Sequence, residues 1–271
     1  MFFDVKNQRG DECWLRLAQD INSLSSGGIY FVPAAGNYGD ALINIGSRQF
    51  FSKYSIDYVE LDRKEILSGR LDQLDPDALV ILGGGGAFCN NFSSSHQLAK
   101  KVSGYFRQVL ILPTTYELSR IDANNIIYYR RDNLGSSEVI EDSKFCHDMA
   151  FFIELELDVP NFNDRVWRLY AMRADKEGHG LDRLFESNFD LSKIGDATYT
   201  NPKPFFRVIS NFKVIVTDRM HIAIAASMLQ LDCYLVVGNY FKSRDVFKSS
   251  IEAFYPKTKL LTVADFLKRF G

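Results

Sequence analysis

The chain has 271 residues and a formal net charge of −2, with 46% hydrophobic and 24% charged residues. This composition is typical of a folded globular protein and excludes a disordered chain, which would combine low hydrophobicity with high net charge. The lack of a basic excess argues against a dedicated nucleic-acid-binding protein. The length permits one large domain or two domains that each bury their own core.

The four cysteines, Cys13, Cys89, Cys146 and Cys233, are far apart in sequence and form no C-x-x-C pair. We therefore expect buried free thiols, with neither a disulfide framework nor a metal site. Charges interrupt the N-terminal residues, which argues against a signal peptide, and no stretch approaches the roughly 18 apolar residues of a membrane span. These features predict a cytoplasmic protein without an integral membrane segment.

In the first half of the chain, short apolar runs alternate with amphipathic stretches. Strands are predicted at Ile29–Ala34, Ile56–Leu61, Ala78–Leu82, Val109–Leu112 and Asn125–Arg130. Helices are predicted at residues 41–53 and 96–106, and Pro113 is expected to end the fourth strand. Strands that alternate with helices predict βαβ units and a parallel sheet.

The second half repeats this pattern, most clearly in the strand Phe212–Thr217, the helix Met220–Gln230 and the strand Cys233–Gly238. Further strands are predicted at residues 166–172 and 259–262, a polar loop with a short helix at 174–204, and a last helix at 263–270. The segment Leu155–Arg165 contains a proline and several acidic residues. It predicts a boundary between an N-terminal domain, residues 1–157, and a C-terminal domain, residues 158–271.

Ligands of open α/β sheets bind at the carboxyl ends of strands, so these junctions are candidate sites. The first junction contains Gly36, Asn37, Gly39 and Asp40, and Asp40 is predicted to cap a helix that begins at Ala41. Two interpretations stay open. The junction is either a tight turn with a cap, or the floor of a pocket whose helix N–H groups face an anion or a sugar hydroxyl.

The second junction is the run Gly83–Gly86 after a predicted strand. Four consecutive glycines cost backbone entropy on folding, which a ligand lying against the main chain could offset. The run does not fit G-x-G-x-x-G, because Phe88 takes the place of the last glycine, and it lacks the Lys-Ser or Lys-Thr of a P-loop. It predicts a binding cleft but not an NAD or ATP site.

The third junction places Asp218, Arg219 and His221 at a helix N-terminus. Arginine there can bind a phosphate or carboxylate, and histidine can transfer a proton near neutral pH. The alternative is that Asp218 caps the helix, Arg219 pairs with it and His221 is an interior histidine. Positions two apart share a site only if Arg219 lies in the turn and His221 in the first helical turn.

Two further clusters add positive charge at predicted strand ends, namely Arg130 with Arg131, and the segment from Asn239 to Lys242. A solvated surface is the alternative interpretation of each. His147, like the other histidines away from the third junction, lacks partners at metal-ligand spacing along the chain. Cations and glycines at strand ends of a slightly acidic protein predict a small anionic ligand in a cleft between two α/β halves.

The order of several segments resembles the polysaccharide pyruvyl transferases. These segments are Asn37-x-Gly39-Asp40, Gly83–Gly86, Arg131-Asp132, Cys146-His147-Asp148-Met149-Ala150-Phe151, Asp218-Arg219-Met220-His221, and Gly238-Asn239 with Lys242. The correspondence extends from about residue 30 to about residue 250, and the order and spacing of the segments are more specific than any one of them.

The resemblance implies two facing Rossmann-like domains with parallel sheets, similar to the GT-B glycosyltransferase fold. It implies phosphoenolpyruvate as the donor, no further cofactor, and a sugar diol of a bacterial exopolysaccharide or surface-glycan precursor as the acceptor. The product would be a pyruvate ketal and the by-product phosphate. A lipid-linked acceptor would bring the protein to the inner face of the membrane.

The resemblance also implies roles for individual residues. The catalytic residues would be His221 as the acid that protonates the donor methylene, Arg219 as a ligand of the donor anion, and Asp40 as the group that orients or deprotonates the acceptor. The substrate-binding residues would be Asn37, Gly39, Gly84, Gly85, Arg130, Arg131, Asn239 and Lys242.

Two other functions remain open from the sequence. A nucleotide-sugar-dependent glycosyltransferase of GT-B type would use the same fold, but it needs a late carboxylate for the ribose, and Glu252 is the obvious candidate. A non-catalytic glycan-binding protein would keep the fold and the aromatic content of 14% but would have no need of Arg219 and His221.

Overall fold

The computed structural model describes residues 2–25 and 27–271, in which strands and helices alternate along the chain. The strands are β1 Phe2–Asp4, β2 Ile29–Val32, β3 Val59–Glu60, β4 Leu79–Leu82, β5 Gly85–Phe88, β6 Gln108–Tyr116, β7 Ile126–Arg130, β8 Lys144–Phe145, β9 Glu156–Asp158, β10 Val166–Ala171, β11 Phe212–Thr217, β12 Asp232–Val236 and β13 Thr258–Leu261. The α-helices are α1 Glu12–Leu24, α2 Tyr38–Lys53, α3 Arg63–Ser68, α4 Ser94–Ser103, α5 Gly135–Val139, α6 Lys203–Ser210, α7 Met220–Met228, α8 Lys242–Val246 and α9 Val263–Phe270. Within the described ranges, no helix has the length and apolar character needed to cross a membrane.

The larger sheet is built from strands of the first half. Its order is β3-β2-β4-β6-β7-β8, with β5 beside β6, and every pair is parallel. Successive residues of β4 point to opposite faces: Leu79 and Ile81 enter one hydrophobic cluster, and Val80 and Leu82 enter another. Both faces of this sheet are therefore covered, as a parallel sheet requires.

The smaller sheet has the order β10-β11-β12-β13 and is also parallel. The helix α7 joins β11 to β12 and is buried almost throughout. Its Ile222 and Ile224 belong to the same hydrophobic cluster as Leu42 and Ile43 of α2. The α/β class and the parallel sheets are thus confirmed, while the domain boundary after residue 157 stays a prediction.

The N-terminal segment, for which no element was predicted, pairs with later parts of the chain. Strand β1 lies antiparallel to β9. The backbone N–H of Lys6 donates to Met228 O, and the Gln8 amide donates to Ser250 O. Residues assigned by sequence to the first domain therefore also contact elements of the second half.

Two local predictions are wrong. Helix α2 begins at Tyr38 rather than Ala41, and its cap is Asn37, because Asp40 is the third helical residue and completes a capping box with Asn37. Strand β6 does not stop at Pro113 but continues to Tyr116. Pairing with β4 ends at Ile111, pairing with β5 starts at Thr114, and the missing N–H of the proline falls between them.

Candidate functional site

A cavity of about 320 Å³ lies where carboxyl ends of strands from both sheets come together. Its walls come from the segments after β2, β7, β10 and β11, from β5, and from the start of α8. The lining residues are Ala35, Gly36, Asn37, Asp40, Gly86, Ala87, Phe92, Ser94, Arg131, Arg173, Asp175, Glu177, Ser192, Arg219, Met220, His221 and Lys242. The junction rule for open α/β sheets therefore locates the cavity correctly.

The N-terminus of α2 forms one wall and fixes the position of His221. Asn37 Oδ1 accepts from the Gly39 backbone N–H at 2.7 Å, and the Asn37 N–H donates to Asp40 Oδ2 at 2.9 Å. A Cβ atom on Gly39 would lie 2.5 Å from His221 Nδ1, so only glycine leaves room for this imidazole. Burial raises the pKa of Asp40, although His221 and the Asn37 N–H oppose this effect.

The glycine run serves packing at one end and the cavity at the other. A Cβ on Gly83 would lie 2.3 Å from Ala34 N, and one on Gly84 would lie 2.3 Å from Pro113 O. These two glycines therefore allow neighbouring backbones to approach closely. Gly85 has a φ of +119°, which favours glycine, and Gly86 lines the cavity.

Asp148 connects two of the candidate residues. Arg131 Nη1 donates to Asp148 Oδ2 at 2.6 Å, and His221 Nε2 lies 3.5 Å from the same oxygen. Burial acts to raise the pKa of the Asp148 carboxyl, but His221 and Arg131 outweigh it and hold the pKa well below its usual range. Asp148 is therefore an ionised carboxylate that orients both the guanidinium and the imidazole.

Arg131 and Lys242 converge on Gly86. A Cβ built on Gly86 would lie 3.2 Å from Arg131 Nη2 and 3.4 Å from Lys242 Nζ. The Arg131 guanidinium is fixed by Thr115 and Asp148 through Nε and Nη1, and its Nη2 donates to no described residue. The missing side chain at position 86 thus leaves space between two cationic groups.

Lys242 is part of a buried network. Lys242 Nζ donates to Glu177 Oε2 at 2.8 Å, Tyr240 donates to Glu177 Oε1 at 3.0 Å, and Arg173 forms an ion pair with Glu177. Burial lowers the pKa of Lys242, and Glu177 opposes this shift. Burial alone would raise the pKa of Glu177, but Lys242 and Arg173 lower it overall.

Arg219 and His221 have the arrangement that they need to share one site. Arg219 precedes α7, and His221 is the second residue of this helix. Both line the cavity. The guanidinium of Arg219 is occupied by carboxylates, because Nε donates to Asp190 Oδ1 at 2.9 Å and Nη1 lies 2.9 Å from Asp175 Oδ2. An anion that binds Arg219 must therefore compete with an internal carboxylate. Asp218 does not cap the helix, because its Oδ1 accepts from the Arg173 N–H at 2.7 Å.

The structure brings together most of the candidate residues but not all. Asn37, Asp40, Arg131, Arg219, His221 and Lys242 line the cavity, and Gly39 and Gly85 lie directly behind this lining. Three others lie outside it. Arg130 points to Ser143 and Asn133, Asn239 contacts Lys176 O, and Gly84 packs against Pro113. Of the two adjacent arginines, Arg131 is the one that faces the cavity.

Sequence reasoning missed several residues of the site. Arg173, Asp175 and Glu177 directly follow β10, so the junction rule could have identified them. Asp148 lies in a segment that carries the family resemblance, but its role depends on contacts across 17 and 73 residues of sequence. In the described part of the chain, no cluster of three or more His, Cys, Asp or Glu side chains at metal-ligand spacing lines the cavity.

Comparisons with known proteins give a family and a fold. Residues 37–236 match the model of the family described as polysaccharide pyruvyl transferase. The crystal structure of an uncharacterized protein from Klebsiella pneumoniae is similar over 93% of this chain and 100% of that chain, with a TM-score of 0.76 and 21% identity, which supports the fold alone. A Bacillus subtilis protein provisionally assigned as a phosphosugar isomerase aligns over 93% of this chain and 84% of that chain, but its TM-score of 0.32 and 13% identity carry no argument. A search of curated proteins finds no match.

Proposed function

The chain belongs to the polysaccharide pyruvyl transferase family, and we propose that it transfers the pyruvyl group of phosphoenolpyruvate to two hydroxyls of a surface-glycan precursor. The products are a pyruvate ketal and inorganic phosphate. The acceptor is a saccharide, lipid-linked or free, and the reaction takes place in the cytoplasm or at the inner membrane face.

The observation that carries this proposal is the convergence of Arg131 Nη2 and Lys242 Nζ beside Gly86, in the cavity that also contains His221. Phosphoenolpyruvate has a phosphate and a carboxylate, and guanidinium and ammonium groups bind both. Arg131 is held rigidly by Thr115 and Asp148, so its free N–H groups are preorganised for an anion.

The reaction needs one proton donor and two hydroxyl nucleophiles. His221 protonates the methylene carbon of the donor, which makes the adjacent carbon electrophilic. The first sugar hydroxyl attacks this carbon and loses its proton, the C–O bond to phosphate breaks, and the second hydroxyl attacks. The diol loses two protons. One of them restores the proton that His221 gave to the methylene carbon, and the other leaves with hydrogen phosphate.

Asp40 is the proposed acceptor base. It lines the cavity, and a Cβ on Gly85 would lie 3.5 Å from its Oδ1. Because burial raises the pKa of Asp40, this carboxylate is a stronger base than an exposed aspartate. The position of the cavity at the carboxyl ends of both sheets supports two facing Rossmann-like domains similar to the GT-B arrangement.

The alternative glycosyltransferase function has less support. Its candidate ribose ligand, Glu252, is exposed and does not line the cavity. The cavity of about 320 Å³ is also at the small end for a nucleotide sugar.

The proposal is tested by comparing phosphoenolpyruvate with UDP in thermal unfolding. A ligand present at about 100 times its Kd stabilises by roughly 2.7 kcal/mol, which raises Tm measurably. We expect phosphoenolpyruvate to raise Tm and UDP to have no effect. A shift with UDP alone would instead support the glycosyltransferase.

Matched variants then connect binding to the cavity. Lys242→Gln should reduce the phosphoenolpyruvate-induced shift, whereas Lys248→Gln, at an exposed position six residues later, should not. Phosphate release in the presence of saccharide diols identifies the acceptor class. A full shift in Lys242→Gln would mean that the donor binds elsewhere.

A further inference from the structure

A second cluster of reactive side chains lies outside the cavity. All four cysteines are free and buried, as the sequence predicts, and two of them are neighbours: Cys13 Sγ lies 3.4 Å from Cys146 Sγ. Ligand atoms of Asp11, Cys13 and His147 lie within 4.8 Å of one another. We propose that Asp11, Cys13, Cys146 and His147 bind a zinc ion.

The orientation of His147 fits that of a ligand. The residue is 1% exposed, and its Nε2 faces Asp11 Oδ2 at 3.3 Å without a well-aligned hydrogen bond. Its other ring nitrogen, Nδ1, lies 2.8 Å from Ser250 Oγ. A metal-binding histidine has this arrangement, with one nitrogen on the ion and the other held by a hydrogen bond.

Two of the distances between donor atoms are close to those of a tetrahedral zinc site. Nitrogen and oxygen ligands about 2.0 Å from zinc are roughly 3.3 Å apart, and two sulfurs about 2.3 Å from zinc are roughly 3.8 Å apart. His147 Nε2 is 3.3 Å from Asp11 Oδ2, and the two sulfurs are 3.4 Å apart. Cys146 Sγ lies outside the group of mutually close donor atoms, so its side chain must move toward the other three ligands to complete the site.

The donor set favours zinc over the hard cations. Two thiolates, an imidazole and a carboxylate suit zinc, whereas magnesium and calcium prefer oxygen ligands. Each thiol releases its proton to solvent when it binds the ion, and no oxidant is needed. Asp11 has about a third of its side chain exposed and provides access to the site.

The site would join two distant segments. Asp11 caps α1 and Cys13 lies in its first turn, while Cys146 and His147 follow β8. His147 directly precedes Asp148, the carboxylate that orients Arg131 and His221. The ion would therefore stabilise the position of the segment that contains Asp148.

Cobalt binding tests the proposal with a readout independent of transferase activity. Full-length protein is stripped with a chelator under reducing conditions and titrated with Co²⁺ alone. We expect one equivalent to produce thiolate-to-cobalt charge-transfer absorption, one equivalent of Zn²⁺ to abolish it, and Zn²⁺ to raise Tm.

Matched variants separate metal binding from folding. Asp11→Asn keeps a good helix cap and removes a charged ligand, so cobalt affinity should fall while the fold persists. Asp62→Asn makes the same change at the cap of α3 and should have no effect. Cys13→Ser should reduce the charge-transfer absorption and weaken cobalt binding, and Cys233→Ser, also at a buried free cysteine, should leave both unchanged.

Several results would overturn the proposal. These are the absence of charge-transfer absorption in the wild-type protein, absorption of unchanged intensity in Cys13→Ser, or equal cobalt affinity in Asp11→Asn and wild type. A Cys13–Cys146 disulfide in freshly isolated protein without bound zinc would equally show that the cluster is not a metal site.

Discussion

Substituting Gly86 by alanine challenges the proposed donor site without removing either cation. Gly86 does not have a left-handed φ, so its backbone conformation accepts alanine. The new methyl carbon would lie 3.2 Å from Arg131 Nη2 and 3.4 Å from Lys242 Nζ. It would therefore fill the space in which a donor oxygen meets both groups.

The expected loss follows from the hydrogen bonds that the methyl group blocks. A hydrogen bond to a charged group contributes about 1.5–3 kcal/mol. Losing one such bond corresponds to roughly 10- to 150-fold weaker binding of phosphoenolpyruvate. The free energy of unfolding should change by less than about 1 kcal/mol, because alanine also reduces the entropy of the unfolded chain.

Isothermal titration calorimetry with phosphoenolpyruvate measures the loss, and urea unfolding measures the stability of the same variant. Gly10→Ala is the matched control, since a Cβ at position 10 would meet no atom within 4 Å. A folded Gly86→Ala protein with wild-type affinity would refute the assignment of this space to the donor. Equal weakening in Gly10→Ala would refute the steric explanation.

Three further predictions follow from the same geometry. His221→Ala should lower kcat for phosphate release far more than it weakens donor binding in calorimetry, and normal turnover would exclude this residue as the acid. Glu177→Gln should lower the donor Kd, because the donor no longer competes with an internal carboxylate for Lys242 and Arg173. The same variant should have a lower free energy of unfolding, because two buried cations lose their partner. An unchanged Kd would exclude the competition. Burial raises the pKa of Asp218 from 3.8 to about 6. The protonated carboxyl therefore contributes fully to the free energy of unfolding below pH 3.8, and this contribution is lost as pH rises through 6. At about 1.4 kcal/mol per pKa unit, the loss is up to about 3 kcal/mol. Urea unfolding of Asp218→Asn and wild type should therefore show a difference that grows in favour of the variant between pH 4 and pH 8, and a constant difference would contradict the shifted pKa.

Some elements were predicted with their observed bounds, because a pattern within a few neighbouring residues determines them. Strand β11 and helix α9 have the bounds that hydrophobic alternation and spacing predict. Helix α1 carries an equally clear pattern, with Cys13, Trp14, Leu17 and Ile21 on its buried face. No element was predicted for this segment, although the amphipathic pattern is present in the sequence.

The glycine run shows what a sequence pattern leaves undetermined. It predicted a cleft, and a cavity is indeed present beside it. Yet the approach of Gly84 to Pro113 O and the space left by Gly86 depend on backbone and side chains more than 25 residues away. The pattern indicates that backbone must approach something closely, but not whether this is another strand or a ligand.

The carboxylates of the site were harder to predict than its cations, and they form ion pairs with those cations. Arg131, Arg173, Arg219 and Lys242 each have an ion-pair partner among the described residues. Burying four unpaired cations would be very costly, so a fold that holds them needs carboxylate partners. From the sequence, an internal carboxylate partner was considered only for Arg219, and the candidate was Asp218 rather than Asp175 or Asp190. In the proposed function, the phosphate and carboxylate of phosphoenolpyruvate would therefore have to replace internal partners such as Glu177.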